Sequence, residues 1–157
     1  MAVFLFKTSR VIHDLMAAGK GDKVGAVLAK ILGDAPEILA NTRDFLKQLN
    51  DLIHYYLDKF GPYVEPNTRN KLAKLALEAD RLSLEVEALW YEYSNIEGTA
   101  KALAKRKELK HFQLPEDVAS GFTNRVYEVE EAVQEFYAQV LDIINELIRI
   151  IDEEGIR

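Results

Sequence analysis

The chain has 157 residues, 48% of them apolar, no cysteine and a formal net charge of -6. That length supports one core burying roughly 70% of the unfolded chain's surface; the missing cysteines exclude disulfides, thiol nucleophiles and thiolate metal sites; and the acidic total argues against a body-wide nucleic-acid platform. Lys7 cuts the apolar opening MAVFLF short of a signal peptide, and no uncharged run approaches the ~18 residues needed to span a bilayer, so a soluble, intracellular (cytoplasmic) single domain over 1–157 is expected.

Helical periodicity accounts for nearly every segment and strand alternation is absent. The expected fold is all-α: an antiparallel bundle of about four long-helix layers, with two short N-terminal helices and a long C-terminal helix. A first short helix, about 7–18, carries Ile12, Leu15 and Met16 and ends at Gly19. A second follows Asp22 as N-cap and spaces Val24, Val27, Leu28 and Ile31 before Gly33. The third opens at DAPE, with Asp34 to cap, Pro36 in the first turn and Glu37 as capping-box partner, and runs to Phe60. Its apolar path is Ile38, Phe45, Leu49, Leu52, Tyr56 and Phe60 with Thr42 in the gap, beside a second row of Leu39, Leu46, Ile53 and Leu57. The short GPYVEP connection turns the chain back into a helix over about 66–94, where Leu72, Leu75, Ala79, Leu82, Val86, Leu89 and Tyr93 alternate spacings of three and four.

SNIEG reads as a break, followed by a basic helix over about 98–111. After LPED a final helix over 115–153 keeps the same rhythm through Phe122, Val126, Val129, Val133, Phe136, Val140, Ile143, Leu147 and Ile150. At 1.5 Å per residue it would measure roughly 58 Å, against roughly 40 Å for a compact globule of this length. It must bend, with Gly121 the natural place, or project. Its second half gains another row, Tyr137, Leu141, Ile144, Ile148 and Ile151, to be covered either by another copy of the chain or by the short N-terminal helices. In LWYEY, Tyr93 and Trp90 belong with the core, while Tyr91 points away and suits a protein interface.

Charge is segregated. Residues 1–33 carry five basic and two acidic side chains, 101–111 five basic and one acidic, and 114–157 eleven acidic and three basic. Opposite segments favour head-to-tail association that weakens with salt, whereas a plain reading makes the acidic positions a solvated face. The basic segment is expected at the surface, either as a connector or as an anion site built from Lys101, Lys105, Arg106, Lys107 and Lys110 for an acidic protein or nucleic acid. The basic, amphipathic N-terminal helices suit docking on the bundle better than lying on a membrane.

Arg106 and His111 are spaced R-x4-H ahead of a long closing helix, which resembles the R-x4-6-H motif of HEPN-domain ribonucleases. The resemblance implies metal-independent RNA cleavage at a dimer cleft, with His111 as general acid or base and Arg106 stabilising phosphorane charge. Lys107 and Gln113 depart from the Asn and Tyr common in that family. Two acidic-x-x-His pairs, Asp51 with His54 and Glu108 with His111, are similar in outline to carboxylate-bridged di-iron bundles, but one begins with Asp, and Glu85 and Glu87 flank their helix's core row rather than facing in. No glycine-rich phosphate loop, GxSxG or HExxH is present. The favoured reading is therefore a non-enzymatic interaction or assembly protein, a structural, coat or filament subunit or adaptor, that forms homo-oligomers through its C-terminal helix without metal or cofactor. A HEPN-like ribonuclease and an anion-binding module are the alternatives.

Overall fold

A computed structural model describes residues 23–155. These form four α-helices: α1 (Lys23–Leu32), α2 (Ala35–Phe60), α3 (Pro66–Lys105) and α4 (Glu116–Glu154), with 3-10 turns at Gly61–Tyr63 and Leu109–His111 and no strand among the described residues. The fold is all-α, as the periodicity requires. The helix expected over 7–18, with Ile12, Leu15 and Met16, lies outside the described residues.

Cross-helix contacts fix the topology. Arg43 of α2 meets Glu87 of α3, and Gly61 lies beside Arg69, so these two helices run antiparallel. Arg125 pairs with Glu92, and Glu146 with Lys71, so α3 and α4 are antiparallel as well. Tyr127 contacts Asp34, and Tyr137 packs edge-on against Phe45 with ring centroids 5.0 Å apart, so α2 and α4 are parallel. Meanwhile α1 packs on α3 and α4. The bundle thus has three rods, two of them α3 and α4 and the third shared by α1 and α2.

The third rod is broken at Gly33, whose φ of +61° is a left-handed conformation that glycine adopts freely. Its N–H donates to the Ala29 carbonyl at 2.9 Å, closing α1. Asp34 does not cap α2 as expected. Its backbone carbonyl accepts from Ile38 N–H, while its carboxylate accepts a 2.6 Å hydrogen bond from the Tyr127 hydroxyl and ties the break to α4.

The expected break at SNIEG does not occur: α3 is one helix of 40 residues. Gly98 has low helix propensity, but Ile96 and Ala100 on either side are buried and Leu103 packs against the same core, so tertiary burial outweighs a local cost of about 1 kcal/mol. The segment 98–111 is therefore not a separate helix. It divides into the last turns of α3, a reversal at Arg106–Glu108 and a single 3-10 turn. Lys107 supplies the stop, at φ +60°. Lys107 N–H donates to Ala104 and Glu108 N–H to Leu103, the hydrogen-bond pattern of a Schellman motif, with lysine where glycine is usual.

At 1.5 Å per residue α3 and α4, of 40 and 39 residues, are each about 60 Å long. The final helix does not project from a globule of roughly 40 Å; it has a partner rod of equal length. Along α4 the buried row runs Phe122, Val126, Val129, Val133, Phe136, Val140 and then Ile144, Leu147 and Ile151, instead of continuing through Ile143 and Ile150. An α-helix drifts about 20° per heptad against a strict seven-residue repeat, so over three heptads the inward face shifts by one position. On α2 both rows are buried, Thr42, Phe45 and Leu49 of the first with Leu39, Leu46 and Ile53 of the second, and Leu52 is exposed.

Candidate interaction surface

The basic residues are brought together at one end of the rods. Lys101, Lys105, Arg106, Lys107, Lys110 and His111 are all exposed around the α3–α4 turn, which Phe112, buried, and Leu109 and Leu114, half-buried, anchor to the core. Lys101 pairs with Glu97 one turn back. Among the described residues no ion pair reaches Lys105, Arg106, Lys107 or Lys110. At the opposite end stand Asp152, Glu153 and Glu154, exposed at the close of α4.

The two acidic-x-x-His pairs do not converge: Asp51 and His54 are exposed on α2, while Glu108 and His111 are exposed at the α3–α4 turn. Among the described residues no cluster of three carboxylate or imidazole groups could hold a metal ion. His54 is exposed, and the neighbouring Tyr55 hydroxyl accepts a hydrogen bond from Lys59. Among the described residues no helix is long and apolar enough to cross a membrane.

The C-terminal row offers no continuous apolar face. Ile144 and Ile151 lie in the chain's own core, Tyr137 and Leu141 are half-buried, and Ile148 is the exposed member. A second chain has little left to cover there.

The exposed apolar face is on α3. Leu77, Leu84 and Tyr91 keep 69%, 74% and 70% of their surface in solvent, at successive intervals of one heptad. Leu84 stands two residues, about 200° of helix, from Leu82, which is 1% exposed. Ala88, also exposed, extends the stripe on the same side. Of this row the sequence singled out Tyr91 alone. Leu77 and Leu84 carry a legible signal, a seven-residue repeat lying off the core row, but beside the stronger core periodicity it passed as ordinary scatter.

Charged residues border the stripe. On the α2 side Arg43 bonds Glu87 through Nε at 2.6 Å and a second nitrogen at 3.2 Å, while its guanidinium carbon lies 4.9 Å from the centre of the Trp90 ring. On the α4 side Arg81 is paired with Glu78 and Glu85 of its own helix, and Arg125 reaches across to Glu92 at 2.8 Å. The Arg81 guanidinium, by hydrogen bonding first and by its charge as well, lowers the Glu78 carboxyl below its usual range. Grooves of about 390 and 350 Å³ run along these flanks, between α2 and α3 and between α3 and α4.

Other titratable perturbations are structural. Burial, and then the nearby Glu97 carboxylate, push the Tyr93 phenol well up, and its hydroxyl donates to Glu97 Oε2 at 3.2 Å. The hydrogen bond to Asp34 raises the Tyr127 phenol. Desolvation, with Asp34 nearby, raises the Glu130 carboxyl. None of these groups joins Arg106 or His111 in a common site. Neither a protein-family model, nor a curated protein, nor a solved structure matches the chain.

Proposed function

We propose that the chain is a non-enzymatic interaction or assembly module that docks a protein partner on the outer face of α3. The observation that carries this reading is the heptad-spaced stripe of Leu77, Leu84 and Tyr91 opposite the core of the same helix. Large apolar side chains scattered singly on a surface need no explanation. Three in register, one to each heptad, on a rod about 60 Å long, make a seam of the kind that another helix covers. The half-buried Tyr137 and Leu141 and the buried Ile144 and Ile151 favour placing the interface here rather than on α4.

The test is a photo-crosslinking residue placed at position 84 in cells producing the full chain, with position 135 on α4, also exposed, as the control. A discrete adduct from 84 and none from 135 is expected. No adduct from 84 refutes the reading.

A second role is supported by the cations left without ion-pair partners at the α3–α4 turn: binding of an anionic polymer. It predicts salt-dependent RNA binding that is lost when Lys105, Arg106 and Lys107 are changed together to Ala. Incubating the protein with RNA also tests the resemblance to HEPN ribonucleases. Cleavage that disappears in His111→Ala, with the fold intact, would replace the non-enzymatic reading with catalysis by Arg106 and His111.

A further inference from the structure

We infer that the occupant of the α3 face is a second copy of the same chain, lying antiparallel, with the two-fold axis passing close to Ser83. This rests on the docking reading above and adds the partner and its direction.

The direction follows from the charges beside the stripe. At about 100° per residue, Lys74, Arg81, Glu85 and Glu92 all fall on one flank of the line through Leu77, Leu84 and Tyr91. In an antiparallel two-fold pair, like flanks face each other. About an axis at position 83, Arg81 then stands opposite Glu85 of the other copy, and Lys74 opposite Glu92. Symmetry repeats both juxtapositions, while Leu84 packs near its own equivalent and Leu77 near Tyr91. A parallel pair would bring this flank against the other one, where Arg81 still meets an acidic partner, the second copy's Asp80, but Lys74 meets only Ala73 and Ala76 and Glu85 gains no cation, so fewer opposite charges are matched. On that other flank, in the antiparallel pair, Asp80 approaches the second copy's Glu87, whose charge Arg43 already neutralises.

The ends of the rod agree. An antiparallel partner brings the basic α3–α4 turn of one chain alongside the end of the other that carries Asp152, Glu153 and Glu154. Two separate features, the flank charges beside the stripe and the polarity of the whole rod, thus select the same orientation. The interface is isologous and closes on itself, so the product is a dimer.

Charge reversal tests the register without touching the core. Arg81→Glu alone sets a carboxylate against Glu85 in both symmetric positions, and Glu85→Arg alone sets a guanidinium against Arg81. Light scattering after size exclusion should find the wild-type chain dimeric and each variant about tenfold to hundredfold weaker in self-association. An equimolar mixture should recover the dimer, because each chain then meets its complement, and a folding defect could not be repaired by mixing. Raised salt should weaken the wild-type dimer. The absence of native cysteine permits a second readout: Leu84→Cys should form a disulfide with itself, whereas Leu77→Cys should cross-link with Tyr91→Cys and not with itself. A monomeric wild type, variants that dimerise unchanged, a mixture that stays monomeric, or self-cross-linking of Leu77→Cys would each overturn the inference. The photo-adduct at position 84 separates the two levels. A mass equal to the chain plus a different protein refutes the second copy and leaves the docking reading standing; no adduct refutes both.

Discussion

Leu82 and Leu84 are the same residue type, two positions apart on one helix, and the structure assigns them opposite fates. Leu82 is 1% exposed and Leu84 is 74% exposed. Truncating Leu82 to alanine removes the equivalent of about three buried methylenes at about 0.8 kcal/mol each. The void left behind brings the loss of folding stability to about 3 kcal/mol. With an unfolding entropy of about 2.1 cal/mol/K per residue over 157 residues, the melting temperature should fall by about 9 °C, by the same amount at every protein concentration. Leu84→Ala loses only the covered quarter of its surface, about 0.6 kcal/mol and less than about 2 °C in the dilute chain. At high concentration its deficit should grow, because a chain that dimerises through Leu84 is stabilised by mass action and the variant is not. Thermal unfolding followed by circular dichroism at two concentrations, paired with light scattering, measures both effects. A Leu84→Ala variant as damaged as Leu82→Ala in dilute solution, or a harmless Leu82→Ala, would show that α3 turns a different face inward and would remove the basis for the docking surface.

Lys107→Gly should stabilise the chain by about 1 kcal/mol, since glycine adopts the left-handed conformation at the end of α3 without the steric cost a lysine bears. Gly98→Ala should add about 0.5 to 1 kcal/mol, because a Cβ there meets nothing within 4 Å; chemical denaturation reads both. Arg43→Lys should lose most of the stability lost in Arg43→Ala, about 1 kcal/mol, because lysine cannot bond Glu87 through two nitrogens while lying over Trp90. Trp90 is the sole tryptophan, so its fluorescence reports the change directly. Glu130 predicts a pH dependence: with its folded carboxyl raised by burial and by Asp34, the folded chain holds this proton more tightly than the unfolded chain. That contribution is present below the unfolded value and is lost as pH rises through the folded one. Glu130→Gln should therefore be more stable than wild type at neutral pH and lose the advantage on acidification, as denaturant titrations at several pH values would show.

Fold class, helix direction and most core positions were legible because core rows spaced by three and four are a property of local sequence. Leu72, Leu75, Ala79, Leu82, Val86 and Leu89 are buried as their spacing requires, and GPYVEP turns the chain back. The errors share one cause: distant packing overrode local preference. SNIEG looked like a terminus because glycine has poor helix propensity, yet Ile96 and Ala100 are held by other helices. AKRKELKHF looked like a helix because lysine and glutamate favour one, yet the chain reverses at Lys107 so that Phe112 can reach the core. Asp34 had the chemistry of a cap, but Tyr127, 93 positions away, takes its carboxylate.

Local sequence settles that the chain is helical, which apolar residues are candidates for a core, and that its charge is segregated, because periodicity, propensity and net charge act over a few neighbouring residues. Tertiary packing alone settles which of two adjacent apolar rows turns inward along the second half of α4, and that both rows are buried along α2, because a drift of about 20° per heptad is resolved against a neighbouring rod. It also decided that Leu77, Leu84 and Tyr91 are left in solvent. A seven-residue repeat reads the same whether it is buried or exposed until the positions of the other two rods are known.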